Sequence, residues 1–582
     1  MSELFLNPLA EFVWRTRYRG VDAGGAPELS PADTFARVSR ALSAAERDAA
    51  GWRARFEGVL AGFRFVPGGR ILAAAGGGAS RTMLNCFVMG VVEDAPEPMF
   101  AALAEGARTL QQGGGIGWDF STLRPRGVEA GARVAPGPVA CLELWDAACR
   151  AVTAGLARGG AMMGSLSASH PDIAEFARAK SRPGALERFN LSVQLPDSFL
   201  RAVEEDSNWA LSFPVVGPAG EQGGQVVRQV RARALEQLIC TSMLEWSEPG
   251  VLFVDTINRE NNLWWRERLT TTNPCGEVPL PPYGACDLGS VNLASLVVEP
   301  FGRGARLDLE SLDAIARVAV RLLDNVLDAT PYPLERQREQ ALQTRRIGLG
   351  ITGLADALAM LGLRYDSEQA RVVAAAAVER LKIAAYETSI GIAAEKGAFP
   401  AFDRERYLAG PFVGRLPGRI RERIARDGIR NSHLLAIAPT GSISLLAGNV
   451  SPGIEPITAL RQSRRVTDPD GGFREFEVED RAWSIFSAAG GGAVPAALVP
   501  ASEIGAAAQL DMQSALQPHV DGAISKTVLL PESFTVADLG GLLQRAHRDG
   551  LKGFAVHRPG SARGSALGNG CAGTGRLECD AG

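Results

Sequence analysis

Two cysteines, Cys275 and Cys286, stand eleven residues apart in TTNPCGEVPLPPYGACDLG (residues 271–289), with Asn273 and Glu277 flanking the first. The proline and glycine content excludes a helical core for this stretch. In an extended segment residues two apart share a face. The spacing therefore predicts Asn273, Cys275 and Glu277 projecting together: a hydrogen-bonding amide, a sulfur and a proton acceptor on one surface.

The rest of the chain narrows what such a loop can serve. Its 582 residues suffice for a large core, and 46% hydrophobic residues with 22% charged residues describe a globular protein. A net charge of −4 supplies no basic field for a nucleic-acid polymer. The N-terminal stretch MSELFLNPLAEFVWRTRYRG reads as no signal peptide, and no run of 18 apolar residues suggests a membrane span. Eight cysteines are too few for a disulfide scaffold. We expect reducing cytoplasm, where exposed thiols are catalytic or metal-binding. Five histidines lack HExxH or paired spacing, so no zinc hydrolase and no metal-ligand set is expected. An Asp-x-His-x-x-Gly segment, which would bring a histidine to a corrin cobalt, is also missing. Cys141, Cys149 and Cys240 lie in apolar helical contexts and read as inert core.

The elements that must position the loop alternate. Residues 1–70 read as helical, with Ser30 as a cap before Pro31. NCFVMGVV reads as a buried strand. In PEPMFAALAEGARTLQQ the spacing places Met99, Phe100, Leu103, Ala107 and Leu110 on one helical face, ended by Gly113–Gly115. Helical stretches at 308–330 and 367–394 interleave with strand-like FNLSVQL, HLLAIAP (433–439) and GFAVH (553–557), an α/β pattern. The glycines of GLGITG (348–353) match a dinucleotide pattern, but charged, helix-like EQALQTRRI precedes them where a strand is required. A tight turn and close packing explain them instead. QQGGGIGWDFSTLRPRG (111–127) lacks the Lys-Ser/Thr ending of an ATPase loop. APTGSISLLAGNVSPGIEP (438–456) gathers Thr440, Ser442 and Ser444 around Gly441, a turn that presents amides and hydroxyls to a phosphate.

Together these segments resemble the catalytic chain of ribonucleotide reductases, most closely the adenosylcobalamin-dependent class. NPCGE and PLPPYGACDLGSVNL match its active-site finger loop, and NCFVMG, QQGGGIGWDFSTLRPRG, RGGAMMGSLSASHPDIAEF, FNLSVQLPDSF, EPGVLFVDTINRENNLW, RRIGLGITGLADAL, APTGSISLLAGNVSPGIEPI, VDGAISKTVLLP and GLKGFAVHRPGS follow in family order. The resemblance implies an α/β barrel of ten strands in two five-stranded halves with a central finger loop, over residues 71–560. A helical N-terminal region (1–70) without an ATP cone would precede it, and a flexible cysteine-containing tail (561–582) would follow. It assigns Cys275 as the thiyl radical that takes the 3′ hydrogen, Glu277 as general base and Asn273 as substrate ligand. Cys86 and Cys286 become the pair that supplies two electrons. Thr440, Gly441, Ser442 and Ser444 fall at the substrate phosphates. Asp94, Gln111, Arg124 and Arg188 fall in the effector-binding region (86–190), Arg188 relaying to the substrate base. The implied cofactor is adenosylcobalamin. The implied partners are a ribonucleotide, for which the resemblance favours the diphosphate, a deoxynucleotide or ATP specificity effector, a thioredoxin- or glutaredoxin-type reductant, and a second copy in a homodimer.

The tail holds Cys571 and Cys579, fewer cysteines than relatives of this class carry; by that resemblance they are read either as a shuttle that carries electrons to Cys86 and Cys286 by disulfide exchange or as an inert remnant. Two other readings stand beside this one. The first is the large chain of a reductase whose radical comes from a metal-containing small subunit; such chains carry a paired-tyrosine relay late in the barrel, whereas the last tyrosine here is Tyr407. The second is a non-catalytic nucleotide-binding homologue, which would not need the full set of Cys86, Asn273, Cys275, Glu277 and Cys286.

Overall fold

The computed structural model describes residues 5–21, 25–77, 81–130, 133–154, 160–214, 224–467 and 472–561. Three helices come first: α1 (Pro8–Arg17), α2 (Pro31–Ser43) and α3 (Ala49–Leu60). As the sequence predicts, α2 opens at Ser30, which forms a reciprocal capping box with Asp33 ahead of Pro31. Its buried Arg37 pairs with Glu28 at 2.7 Å and donates to the carbonyls of Tyr18, Leu72 and Ala75. One guanidinium thus ties the end of α1 to the segment that enters the sheet. Bidentate geometry and five donors make arginine suited to such a junction.

Ten strands form one sheet: β1 (Phe65–Pro67), β2 (Cys86–Val88), β3 (Gly115–Asp119), β4 (Met162–Ser167), β5 (Phe189–Leu195), β6 (Gly250–Phe253), β7 (Ala285–Asn292), β8 (Ile347–Thr352), β9 (Thr527–Leu529) and β10 (Gly553–His557). Strands β2 to β6 pair in order and all run parallel. β7 and β8 are parallel to one another, as are β9 and β10. The two groups meet antiparallel at β2–β7 and at β6–β10, while β1 lies antiparallel on β7. Parallel bridges at Leu349–Leu435 and Ile437–Ile524 carry the pairing from β8 across residues 435–437 to the segment that runs into β9. Backbone pairing therefore leads round from one side of the sheet to the other, in one parallel set of five strands and a second of four strands linked through residues 435–437, joined at antiparallel seams. The expected strand at 433–439 contributes only those isolated bridges.

Buried parallel strands of this kind need cover on their outer side. Helices α6 (Leu309–Ala329) and α7 (Glu368–Lys396) supply it, with Leu312, Ile315, Leu322, Leu323 and Val326 of α6 fully buried. Gly348 and Gly350 of GLGITG lie within β8 itself, and Gly353 follows it at φ 69°. A β-carbon on Gly350 would collide with the Ala436 carbonyl, so the glycines serve close strand approach, as read from the sequence.

One sequence expectation fails. In α4 (Pro96–Gln111) the buried face is Ala102, Gly106, Thr109 and Leu110, whereas Phe100 is 60% exposed and Met99, Leu103 and Ala107 are half-buried. The sheet selects the small residues because Trp118 lies against Gly106. Of the predicted stripe only Leu110 is fully buried, while Met99 and Leu103 pack against the core from its edge.

Candidate active site

Residues 271–280 form a short hairpin, Thr271–Thr272 pairing with Pro279–Leu280. Its tip is a turn rather than the extended segment the spacing suggested. Gly276 N–H donates to the Asn273 carbonyl at 3.1 Å, and Gly276 itself sits at φ 86°, the left-handed region that favours glycine. The Asn273 side chain closes the same turn by accepting from Val278 N–H at 3.0 Å. Because the backbone turns, the three groups do not share one face: Asn273 and Glu277 are fully buried and Cys275 is partly exposed.

Both halves of the sheet hold this hairpin. A β-carbon on Gly117 of β3 would collide with the Thr272 carbonyl oxygen, so the Gly-rich strand is what admits the hairpin. Asn190 of β5 donates to the Pro274 carbonyl at 2.8 Å, and Ala523 N–H donates to the Glu277 carbonyl at 2.8 Å. The tip packs against an apolar cluster of Cys86, Val88, Val278, Leu280, Cys286, Leu288, Ala436 and Ala438, with Cys275 at its edge.

Within this cluster Cys86 on β2 and Cys286 on β7 are directly opposed partners in the antiparallel ladder. Opposed residues in such a ladder have Cα atoms about 4.5–5.5 Å apart, inside the range a disulfide spans. The Asn273 amide donates to the Cys86 sulfur at 3.2 Å, and the Cys86 thiol lies 3.8 Å from Glu277 Oε1. Glu277 Oε2 is buried with no hydrogen-bond partner among the described residues. Burial pushes the Glu277 carboxyl up to about 7, against hydrogen bonds from Asn273 and Cys86 that favour its ionised form. Both thiols are held well above the usual range by burial first. For Cys86 the nearby Glu277 adds to this, and for Cys286 the neighbouring Asp287 does.

The structure therefore brings Cys86, Asn273, Cys275, Glu277 and Cys286 together. The predicted phosphate loop follows directly from Ala436 and Ala438. Thr440 adopts φ 49° and caps α8 (Gly441–Leu446), its hydroxyl bridging Thr352 at 3.0 Å and Gly453 N–H at 2.7 Å. Ser444 donates to the Gly441 carbonyl, and Ser442 meets the Tyr18 hydroxyl at 2.6 Å. Thr440, Ser442 and Ser444 are buried and Gly441 is half-exposed.

The effector candidates are less gathered. Asp94 and Arg124 form an ion pair with each other, Gln111 is exposed at the end of α4, and the Arg188 amide donates to Asp146 of α5 (Pro138–Val152). Beside them a cleft of about 880 Å³ opens between residues 126–143 and 174–182, lined by Arg126, Arg178 and Arg182. Arg126 belongs to the QQGGGIGWDFSTLRPRG segment, whereas Arg178 and Arg182 were not singled out in the sequence. Cys141, Cys149 and Cys240 are buried in helices, as read. Cys571 and Cys579 lie outside the described residues. Among those described, no helix is long and apolar enough to cross a membrane and no cluster of His, Cys, Asp or Glu is arranged to hold a metal ion.

Residues 84–557 match the family model "Ribonucleotide reductase, barrel domain", and residues 4–86 match "Ribonucleotide reductase, all-alpha domain". The chain belongs to the ribonucleotide reductase family. It is 38% identical to the vitamin B12-dependent ribonucleoside-diphosphate reductase of Mycobacterium tuberculosis (strain CDC 1551 / Oshkosh), over 97% of this chain and 81% of that protein. It is 32% identical to the protein of the same name from Thermoplasma acidophilum, over 87% of this chain and 65% of that one. A ribonucleoside-diphosphate reductase large subunit from Caenorhabditis elegans is 29% identical over 67% of this chain. The paired cysteines and the hairpin tip of this family member lie within the stretch matched to the barrel domain.

Proposed function

We propose that this ribonucleotide reductase converts ribonucleoside diphosphates to 2′-deoxyribonucleotides with adenosylcobalamin as radical source. The observation that carries the reading is the unpartnered Oε2 of Glu277, buried beside an opposed pair of thiols and a half-exposed third thiol. A buried acceptor without a donor is costly, and the 3′-hydroxyl of a ribose supplies that donor.

In this scheme a thiyl radical on Cys275 removes the 3′ hydrogen while Glu277 takes the 3′-hydroxyl proton. The 2′-hydroxyl departs as water. Cys86 and Cys286 give up two electrons and two protons and close to a disulfide, Glu277 returns its proton to the 3′ oxygen, and Cys275 returns its hydrogen to C3′. Asn273 holds Cys86 and the hairpin turn in register. The apolar cluster excludes water, which a sulfur radical requires.

The residues present fit the proposed cofactor. Cys275 and Gly276 at the hairpin tip are partly open, so a group bound beside the hairpin has access to the thiol. When bound, adenosylcobalamin supplies a radical by homolysis of its cobalt–carbon bond. Relatives that import a radical through a paired-tyrosine relay carry it late in the barrel. Here β10 reads GFAVH, without tyrosine, which favours the cobalamin reading over a separate small subunit.

The cleft is lined by Arg126, Arg178 and Arg182 with Glu175 paired to Arg126 and Glu143 to Arg182, and the one positive charge by which its arginines exceed its acids favours the phosphates of a nucleotide effector. The exposed Phe100 of α4 and Leu144 of α5 suit a homodimer contact beside it. Cys571 and Cys579 would relay electrons from a thioredoxin- or glutaredoxin-type protein.

The decisive experiment is conversion of a ribonucleoside diphosphate with dithiothreitol, with and without adenosylcobalamin. We expect product only with the cofactor, and none from Cys275→Ala. Product without it, or only after adding a metal-containing small subunit, would overturn the reading.

A further inference from the structure

The two family domains meet at a buried hydrogen bond between residues 424 positions apart: the Tyr18 and Ser442 hydroxyls approach to 2.6 Å. Tyr18 is 1% exposed and Ser442 is fully buried. Tyr18 closes α1, its N–H bonded to Trp14 and its carbonyl held by Arg37, which the Glu28 carboxylate fixes in turn. Leu9, Val13 and Trp14 bury the same helix. The ring is thus delivered to the second residue of α8 on a rigid support.

We infer that Tyr18 is a positioning residue for the substrate diphosphate, acting through Ser442. This rests on the reading of residues 440–444 as the phosphate loop. Phosphate oxygens only accept hydrogen bonds, so Ser442 serves them as a donor. A hydroxyl has one proton and two lone pairs, and the productive orientation has Tyr18 donate to Ser442 while Ser442 donates onward. Tyr18 fixes that orientation before substrate arrives, which lowers the ordering cost of binding. The all-alpha domain is therefore part of the substrate site and not only a cover for the sheet.

The test compares Tyr18→Phe, Ser442→Ala and the double variant in cofactor-loaded enzyme, with thermal midpoints for each. Tyr18→Phe keeps the buried ring. Losing one hydrogen bond should raise KM for the diphosphate about three- to tenfold with kcat little changed. The double variant should be no worse than Ser442→Ala, because both remove the same chain of donors. Inhibition by inorganic pyrophosphate, which probes the loop alone, should weaken in parallel. If Ser442→Ala raises KM and Tyr18→Phe does not, the inference is wrong and the phosphate loop stands. If neither changes KM or pyrophosphate inhibition, the phosphate-loop reading itself fails. A Tyr18→Phe chain that melts early and loses kcat at unchanged KM assigns Tyr18 a structural role and overturns the inference.

Discussion

Cys86 and Cys286 occupy one register position of the antiparallel seam that joins the two halves of the sheet. The backbone separation of such an opposed pair lies within the range a disulfide spans.

From this pairing, one round of turnover without reductant should oxidise the pair. Peptide mass analysis should show Cys86 and Cys286 linked, with about one deoxynucleotide formed per bond. Serine at either position should abolish turnover with dithiothreitol while leaving substrate binding within about twofold. A linkage to Cys141, Cys149 or Cys240 instead would contradict the assignment.

Glu277 gives a pH prediction. Its carboxyl is raised to about 7 by burial, so the folded chain binds that proton more tightly than the unfolded one. The stability it contributes is present at low pH and declines as pH rises through about 7. The general base needs the opposite state, so kcat/KM should climb over the same interval. Glu277→Gln should remove that limb and lower kcat about 10²- to 10⁴-fold. A rate flat from pH 6 to about 8, set by the raised value, would exclude Glu277 as the base.

Gly117→Ala should be costly out of proportion to one methyl group. The new carbon meets the Thr272 carbonyl, which is backbone and cannot rotate away. We expect a loss of about 1–3 kcal/mol in stability and a fall in kcat exceeding that of Gly541→Ala, a helical glycine with open space around it. Denaturant unfolding and initial rates measure both.

Replacing Arg178 and Arg182 by alanine should raise the concentration of nucleotide effector needed for half-maximal stimulation, by about tenfold if two charge-assisted contacts are lost. Equilibrium binding of a labelled deoxynucleotide provides the direct measurement. Unchanged binding would place the effector elsewhere.

Much of this site could be read from the residues because its parts are local. Asn273, Cys275 and Glu277 lie within five positions, and the Gly-rich run that admits them is visible as GGGIG. Their arrangement was not legible. Alternation along a strand suggested one shared face, while Pro274 and Gly276 make a turn that buries two groups and leaves the thiol open. The face of α4 was misread for a related reason. Periodicity marks apolar residues, but Trp118 selects Gly106 by close approach. Arg178 and Arg182 line a cleft assembled from separate loops, and the Tyr18–Ser442 contact joins opposite ends of the chain. Neither leaves a local signal.

The hairpin that carries Cys275 is encoded between β6 and β7, after the first parallel set and before the second. On a growing chain, β2 to β6 therefore exist before the strands that cap their outer members. Until β7 and β10 arrive, β2 and β6 each present an unpaired edge, and the reactive hairpin has only one wall. The time between synthesis of residue 253 and residue 557 is thus the interval of greatest exposure to misassembly. Slowing translation across that stretch should increase aggregation more than slowing it before β2.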